Sequence, residues 1–383
     1  MTVGQEVRQI GLSGGHRRSE EAHADAEGES LIRRDGSAIR EIDPLEDPRW
    51  PDFLRRNPRA SVFHTPGWLE AVYRTYGFRP SVLTASTDNS ALSNGLVFCR
   101  VQSWLTGRRL VSLPFSDHCE PLVTSEEELL GLLLGLENRA QAERCRYVEV
   151  RPVSASPDSF SNWRTSLDYY VHRLDLRPGM NAVFRRFHRD CIQRRIRHAE
   201  KQGIVITEGR GPGILANFYG LVMQTRRRHG LPPQPIAWFR NLVDCLGESC
   251  TIRCAWKEGE PIAAILTLQY GKSLYYKYGA SVARFHKFGA IPYLFWHAIQ
   301  DAIGRGLEEL DMGRSDRDNL GLVAFKERWA ATRSILSYWR SPSDAPRRVG
   351  IGGWKHDIAR GACRCMPQKC LTALGLLAYR HVE

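Results

Sequence analysis

Apolar positions change period several times along this chain, and each change marks an element. Residues 1–40 hold no period and are rich in Gly, Ser, Glu and Arg, the composition of a disordered leader. Order is expected from about Ile42. In Phe63-His64-Thr65-Pro66-Gly67-Trp68 a helix opens, and Trp68, Val72 and Tyr76 return on one side of it until Gly77. Ser81–Ala85, Gly95–Trp104 and Arg109–Phe115 read as strands, the last two joined at Thr106-Gly107. A polar loop through Asp117 and His118 follows, ending at Pro121. Ser125 caps a leucine-rich helix to about Arg144, with Glu126–Glu128 in the first turn, where a helix dipole favours acids. Tyr147–Arg151 and Tyr170–Leu176 are further strands.

The second half begins with a basic helix, Asn181–Gln202. Phe184, Phe187, Cys191, Ile192, Ile196 and Ala199 supply its inner face, and arginines surround them. Between Arg177 and Gly230 there are twelve Lys and Arg against three Asp and Glu. Phe218–Arg228 is a second helix. Leu231-Pro-Pro-Gln-Pro235 is a stiff connector to a third, around Trp238–Leu246. Thr251–Trp256, Pro261–Tyr270 and Ser273–Ser281 form a meander with turns at Glu258-Gly259 and Gly271-Lys272. The loop His286-Lys-Phe-Gly289-Ala290 leads to a helix, Ile291–Ile303. A strand at Leu307–Met312, a polar stretch, a helix at Ala324–Thr332 and a strand at Ser334–Arg340 complete the half. A linker and a final amphipathic helix within 354–381 close the chain. The expected organisation is a leader (1–40), two α/β units (41–176 and 177–341) and a tail (342–383).

With 383 residues, 42% apolar and 25% charged, the chain can form two ordinary domains. No run reaches the roughly 18 apolar residues of a membrane span, and no export signal is visible. A cytoplasmic location with reduced cysteines is expected. Cys363, Cys365 and Cys370 lack paired CxxC spacing, so no metal site is expected. The net charge of +12 points to an anionic partner without choosing among phosphate ligands, RNA and acidic lipid. No dinucleotide fingerprint, P-loop or zinc signature occurs, and no DNA partner is expected.

Strand, glycine-containing loop and helix in succession can hold phosphates on loop amides and a helix N-terminus. That nominates His286, Gly289 and Ala290. Asp311, Arg314 and Ser315 lie at a strand end, where ligands gather in α/β folds. Asp311 either accepts a proton or caps a turn. Tyr276 and Tyr278 are expected on one strand face, as proton donors or as sheet aromatics. Asp117 and His118 either line a cleft or serve the loop's structure. By spacing alone, Lys326 is a surface lysine on an amphipathic helix. The arginine-rich helix is a solvated face or a phosphate or nucleic-acid contact.

Taken together, these stretches resemble the BioF2-like acetyltransferase domain of the Fem-type branch of the GNAT acyltransferases. Arg194–Gly203, Phe218–Gly230, Tyr275–Ser281, Asp311-Met-Gly-Arg-Ser315 and Gly321–Lys326 carry the resemblance in the second half. Phe63–Trp68 and Leu113–Asp117 carry it in the first, so that it spans about 45–340. The resemblance implies an α/β (α+β) fold of two tandem GNAT-like units, with mixed, mostly antiparallel sheets flanked by helices. It implies a substrate cleft between them and transfer of an acyl or aminoacyl group to an amine. It makes Lys326 the lysine of the Phe325-Lys326 motif that Fem-type enzymes need. It makes Arg228, three residues after Thr225, a contact for the acceptor's phosphate, and it puts oxyanion donors in the Tyr276–Ser281 backbone. The usual R/Q-x-x-G-x-G/A phosphate loop is reduced here to His286-x-x-Gly289-Ala290. The expected co-substrate is acyl-CoA, acetyl-CoA included, ahead of aminoacyl-tRNA, because no long helical arm for tRNA is visible. The expected acceptor is a small-molecule or lipid-linked cell-envelope or exopolysaccharide precursor, with peripheral inner-membrane contact as an option. The non-enzymatic alternative is a binding or scaffold protein on a decayed GNAT unit.

Overall fold

The computed structural model describes residues 39–104, 107–154, 157, 160–344, 361 and 363–382. The expected leader and most of the expected linker lie outside them. The described strands are β1 (Arg40–Ile42), β2 (Pro80–Thr84), β3 (Leu96–Ser103), β4 (Gly107–Ser112), β5 (Tyr147–Val150), β6 (Arg164–Asp175), β7 (Val205–Gly209), β8 (Cys250–Lys257), β9 (Glu260–Tyr270), β10 (Ser273–Ser281), β11 (Glu309–Asp316) and β12 (Thr332–Ser341). The helices are α1 (Arg49–Arg56), α2 (Pro66–Tyr76), α3 (Glu126–Ala142), α4 (Met180–Arg186), α5 (Arg194–Lys201), α6 (Pro212–His229), α7 (Ile236–Leu246), α8 (Ala290–Gly304), α9 (Leu320–Glu327) and α10 (Gln368–Val382).

All twelve strands join one mixed sheet in the order β1-β2-β3-β4-β5-β12-β6-β11-β10-β9-β8-β7. Two pairs are parallel, β4 with β5 and β10 with β11. Each is joined through a helix, α3 in the first half and α8 in the second, as a parallel connection requires. The two halves therefore repeat one strand–loop–helix–strand unit. β12 pairs with β5 on one side and β6 on the other, which closes the sheet across the halves. β6 is read from sequence as the last strand of the first half, yet it lies between β12 and β11.

One apolar core runs under both halves. α2 and α7 meet in it, with the Trp68 and Trp238 rings 5.3 Å apart edge to face and both side chains fully buried. Burial of a large apolar side chain contributes roughly 1.5–3 kcal/mol, so this contact ties the halves together firmly. On the opposite face α4, α5 and α8 cover the second half around Phe187, Phe295 and Trp329.

Two expected helices differ. The basic stretch is not one helix. After α4, Phe187 turns extended (ψ 148°), and the His188 amide donates to the Arg328 carbonyl at 2.8 Å. The His188 ring then accepts from the Cys191 amide at 3.2 Å, which caps a wide turn, Arg189–Gln193, leading into α5. A tertiary hydrogen bond here overrides an unbroken apolar period. The expected Ala324–Thr332 helix starts earlier, because the Asn319 side chain caps it at Leu322 N, and it stops at Glu327. Just beyond, Trp329 is fully buried and Ala330 has a positive φ of 59°.

Candidate active site

The site grows from a fork in the sheet. β10 and β11 pair only over Ser273–Tyr275 with Glu309–Asp311, and then separate. Both strands bulge there, β10 between Tyr276 and Tyr278 and β11 between Asp311 and Arg314. Gly313 makes the second bulge with φ +72°, a conformation that glycine adopts without strain. A Cβ there would also press on Asp117 Oδ2 at 3.2 Å.

The β10 bulge corrects the expectation that Tyr276 and Tyr278 share a face. An extra residue shifts the two-residue period, so they point to opposite sides. Tyr276 packs on Phe295 of α8, ring centres 4.5 Å apart. Tyr278 packs on Phe239 of α7 at 5.1 Å, and its hydroxyl accepts from Trp238 Nε1 at 2.8 Å. Burial pushes the Tyr276 phenol up to about 12 and Tyr278 further. Both are partly buried aromatics packed against the core, poorly disposed to give a proton.

Between them, Lys277 turns toward the first half. Its Nζ donates to the Phe115 carbonyl (2.9 Å) and to Asp117 Oδ2 (3.0 Å). It also sits 5.1 Å from the Phe63 ring and 5.4 Å from the Trp68 ring. The Phe63–Trp68 motif thus builds an aromatic wall against a buried ammonium. The loop after β4 is pinned again at Asp117, whose carbonyl accepts from Tyr338 Oη at 2.6 Å. Tyr338 Oη in turn accepts from Arg314 at 2.6 Å.

One residue on, His118 Nε2 lies 3.3 Å from Asp311 Oδ2. A carboxylate only accepts, so Nε2 carries the proton and the lone pair of a neutral ring is on Nδ1. Nδ1 is buried and finds no partner among the described residues. Asp311 Oδ1 also accepts from the Gly313 amide at 2.7 Å. Burial alone would raise this carboxyl. The bond from His118, with the Arg173 charge and the Gly313 amide, outweighs burial and holds it at about 2. A carboxylate so acidic is a weak base; its geometry is that of a turn cap and a partner that orients His118.

Lys326 enters from α9. It is only 2% exposed, and its Nζ donates to the carbonyls of Gly313 (2.7 Å) and Arg314 (3.0 Å). The surface position that spacing alone suggests does not hold, and the lysine is buried as the resemblance requires of a site residue. Burial lowers the ammonium to about 8, against the pull of Asp117 and Asp311. Beside it, His172 of β6 is fully buried, and burial followed by the Lys326 charge lowers its ring to about 4. Both His172 nitrogens and Ser315 Oγ lack partners among the described residues. Unpaired buried polar groups are costly unless a ligand or water meets them.

The neighbouring residue, Phe325, lines a cavity of about 330 Å³ on the other side of the fork. Arg195, Ser281, His286, Gly289, Ala290 and Arg328 also line it. Gly289 takes φ +77°, and a Cβ there would come within 2.6 Å of the Arg195 carbonyl, so the loop lies flush on α5. Arg228 donates to the Ser281 carbonyl at 2.8 Å, and the Ser281 hydroxyl meets His286 Nε2 at 2.9 Å. Burial and the charges of Arg228 and Arg195 lower the His286 ring, which keeps it neutral at neutral pH. The mouth is thus cationic through arginines and opens at the N-terminus of α8, where an anion is favoured.

Asp117, His118, Asp311, Arg314 and Lys326 come together at the fork, and Ser315 is buried on β11 one residue beyond Arg314. His286, Gly289, Ala290 and Phe325 come together at the cavity, and Arg228 joins that second group. Sequence reading missed Lys277, His172 and Tyr338. A lysine interrupting the aromatic run Tyr275-Tyr276-Lys277-Tyr278 was a usable signal; nothing local marked the other two. Among the described residues no cluster of metal-ligating side chains occurs.

Residues 186–327 match the family model described as acetyltransferase (GNAT) domain. The UDP-N-acetylmuramoylpentapeptide-lysine N(6)-alanyltransferase of Weissella viridescens is 20% identical over 263 residues, covering 63% of this chain and 76% of that relative. The crystal structure of FemX matches with a TM-score of 0.63 at 15% identity, covering 78% of this chain and 96% of FemX. A tandem GNAT protein from the clavulanic acid biosynthesis pathway matches with a TM-score of 0.50 at 11% identity, covering 80% of this chain and 99% of that one. The fold is thus a tandem GNAT fold in a Fem-like arrangement.

Proposed function

We propose that this chain, a Fem-like member of the GNAT superfamily, is an acyltransferase that joins an acyl group to an amine of a cell-envelope precursor. The observation that carries this reading is the Phe325–Lys326 pair. One side chain lines a cation-mouthed cavity suited to a donor's phosphates. The next reaches a buried polar cluster suited to the reaction.

In this reading the acceptor amine attacks the donor carbonyl and a C–N bond forms. The oxygen gains negative charge, which the Lys326 ammonium stabilises with the one N–H that Gly313 and Arg314 leave over. β10 has no strand neighbour on its β11 side beyond Tyr275, so its backbone is available for the same task. His118 Nδ1 takes the amine's proton while Asp311 holds the ring. Collapse breaks the bond to the leaving group, which departs as a thiolate from acyl-CoA or as an alkoxide from an aminoacyl ester and takes up the proton that His118 holds.

Acyl-CoA is the donor we favour, on the cavity at the α8 N-terminus. Aminoacyl-tRNA is the second reading, favoured by the alanyltransferase activity in the Weissella relative's name and by the basic run Arg185–Arg197. That name also supplies the acceptor class, an amine on a peptidoglycan precursor. Thermal shift and calorimetry against acetyl-CoA, longer acyl-CoAs, CoA and alanyl-tRNA separate the donors. Saturable CoA binding supports the first. Tight, salt-sensitive alanyl-tRNA binding without a CoA response selects the second. Silence from every donor, with acceptor candidates present, leaves a binding protein and sinks both.

A further inference from the structure

We propose that the outer face of α10, together with Trp104, docks on the headgroup region of an anionic phospholipid bilayer. At 100° per residue Leu371, Gly375 and Tyr379 fall on one side of α10. Leu371 is fully buried, Tyr379 donates to the Pro232 carbonyl at 3.1 Å, and a side chain at Gly375 would run into the Pro233 carbonyl. The inner face is therefore occupied. The outer face carries Ala373, Leu374, Leu376 and Leu377, with the three leucines 37%, 55% and 64% exposed.

A helix on a protein surface normally turns charges to water, and one that is apolar all round is buried in protein or lipid. From Cys370 to Tyr379 the sequence has no charged residue, and Lys369 and Arg380 bracket the run. Among the described residues no helix is long and apolar enough to cross a membrane, so a docked α10 lies in the interface plane.

Trp104 adds a second, independent element. It is at the β3 end of the hairpin and 85% exposed, far more than a tryptophan in water warrants. It is held beside the end of α10, where its Nε1 donates to His381 Nε2 at 3.2 Å and the His381 ring meets Ser103 Oγ at 3.1 Å. An amphipathic indole beside an apolar helix face is the arrangement favoured at a membrane interface. The other end of α10 is approached by two exposed arginines, Arg227 and Arg364, joined by a hydrogen bond from Arg227 Nε to the Arg364 carbonyl at 3.1 Å. Flanking bases and a net charge of +12 select an anionic surface and oppose pairing with a second copy.

The docking does not depend on the transfer reading. On that reading it gains a use: Tyr379 packs 6.4 Å from the Phe115 ring, and the Phe115 loop carries Asp117. A lipid-linked acceptor would then meet the cleft from the membrane side.

The test is co-sedimentation of the full chain with phosphatidylglycerol/phosphatidylethanolamine vesicles and with phosphatidylcholine vesicles. We expect binding to the anionic vesicles, weaker binding to the neutral ones, at least a tenfold loss in the double variant Leu376→Glu/Leu377→Glu, and a several-fold loss in Trp104→Ala. Wild-type protein that stays in the supernatant overturns the proposal. So does a folded double variant that binds like wild type. A wild-type dimer that the double variant splits, without vesicle binding, would assign the face to a second copy. Should the double variant misfold, Trp104→Ala with an unchanged Tm decides alone, and undiminished binding by it counts against the surface.

Discussion

A lysine at 2% exposure is an expensive residue unless its charge is used or satisfied. Lys326 is partly satisfied, by two carbonyls of the β11 bulge, and on our reading it is used at the reacting carbonyl. Lys326→Ala should lower kcat by about 10²–10³, the usual scale for losing one oxyanion donor, while circular dichroism stays native. Turnover within a factor of two of wild type would remove Lys326 from the chemistry. Its pKa near 8 gives a pH test with a definite sign. The ammonium is present below pH 8 and lost above it, so the rate should fall on the alkaline side with a limb near 8. Asp311 offers a stability test. Its folded pKa of about 2 lies below the ordinary 3.8, so its contribution is full above pH 4 and fades as pH falls toward 2. That contribution is about 2 kcal/mol. Urea unfolding of Asp311→Asn should show a deficit of that order at pH 6 that shrinks near pH 3; an equal deficit at both would mean packing, not charge.

At the scale of elements, the two bulges and the loop before α8 do the positioning. Gly289 combines a positive φ with close approach to Arg195. Gly289→Val should therefore raise KM for the donor tenfold or more and leave kcat less affected, because it lifts the loop off α5 without touching Lys326. Donor KM unchanged in a folded variant would separate this loop from the donor site. Lys277 latches the Phe115–His118 loop of the first half onto β10 of the second. Lys277→Met keeps much of the stem's packing but drops both bonds and leaves Asp117 half-buried with a weaker partner, Arg314 Nε at 4.0 Å. We expect a lower kcat and a Tm lower by several degrees, read by scanning calorimetry.

For the whole molecule, the sheet matters more than the duplicated units. β6 lies between β12 and β11, and β12 also pairs with β5. A fragment of residues 177–341 would lack both β6 and β5, leaving β12 unpaired on either side and β11 open at one edge. Such a fragment should be aggregated or unfolded by circular dichroism, while residues 39–383 should unfold in a single calorimetric transition. A folded, soluble fragment would show that the halves are independent.

The sequence by itself determined the elements whose signals are local. Period and caps gave α2, α3 and α8 nearly to their ends, and the meander β8–β9–β10 with its turns. The order of the Fem-like motifs gave the fold and nominated residues that the structure places in two groups: Asp117, His118, Asp311 and Lys326 at the fork, His286, Gly289 and Ala290 at the cavity. These depend on neighbours within a turn or a strand, which sequence spacing reports. Only the tertiary structure decided the rest. A bond from His188 to Arg328 broke the basic helix, and a bulge at Lys277 sent Tyr276 and Tyr278 to opposite cores. β6 left its sequence neighbours for β11 and β12. His172, Tyr338 and Lys277 joined the candidate site through contacts that span from about 150 to more than 200 residues along the chain. Such contacts carry no period, so no local pattern in the chain could announce them.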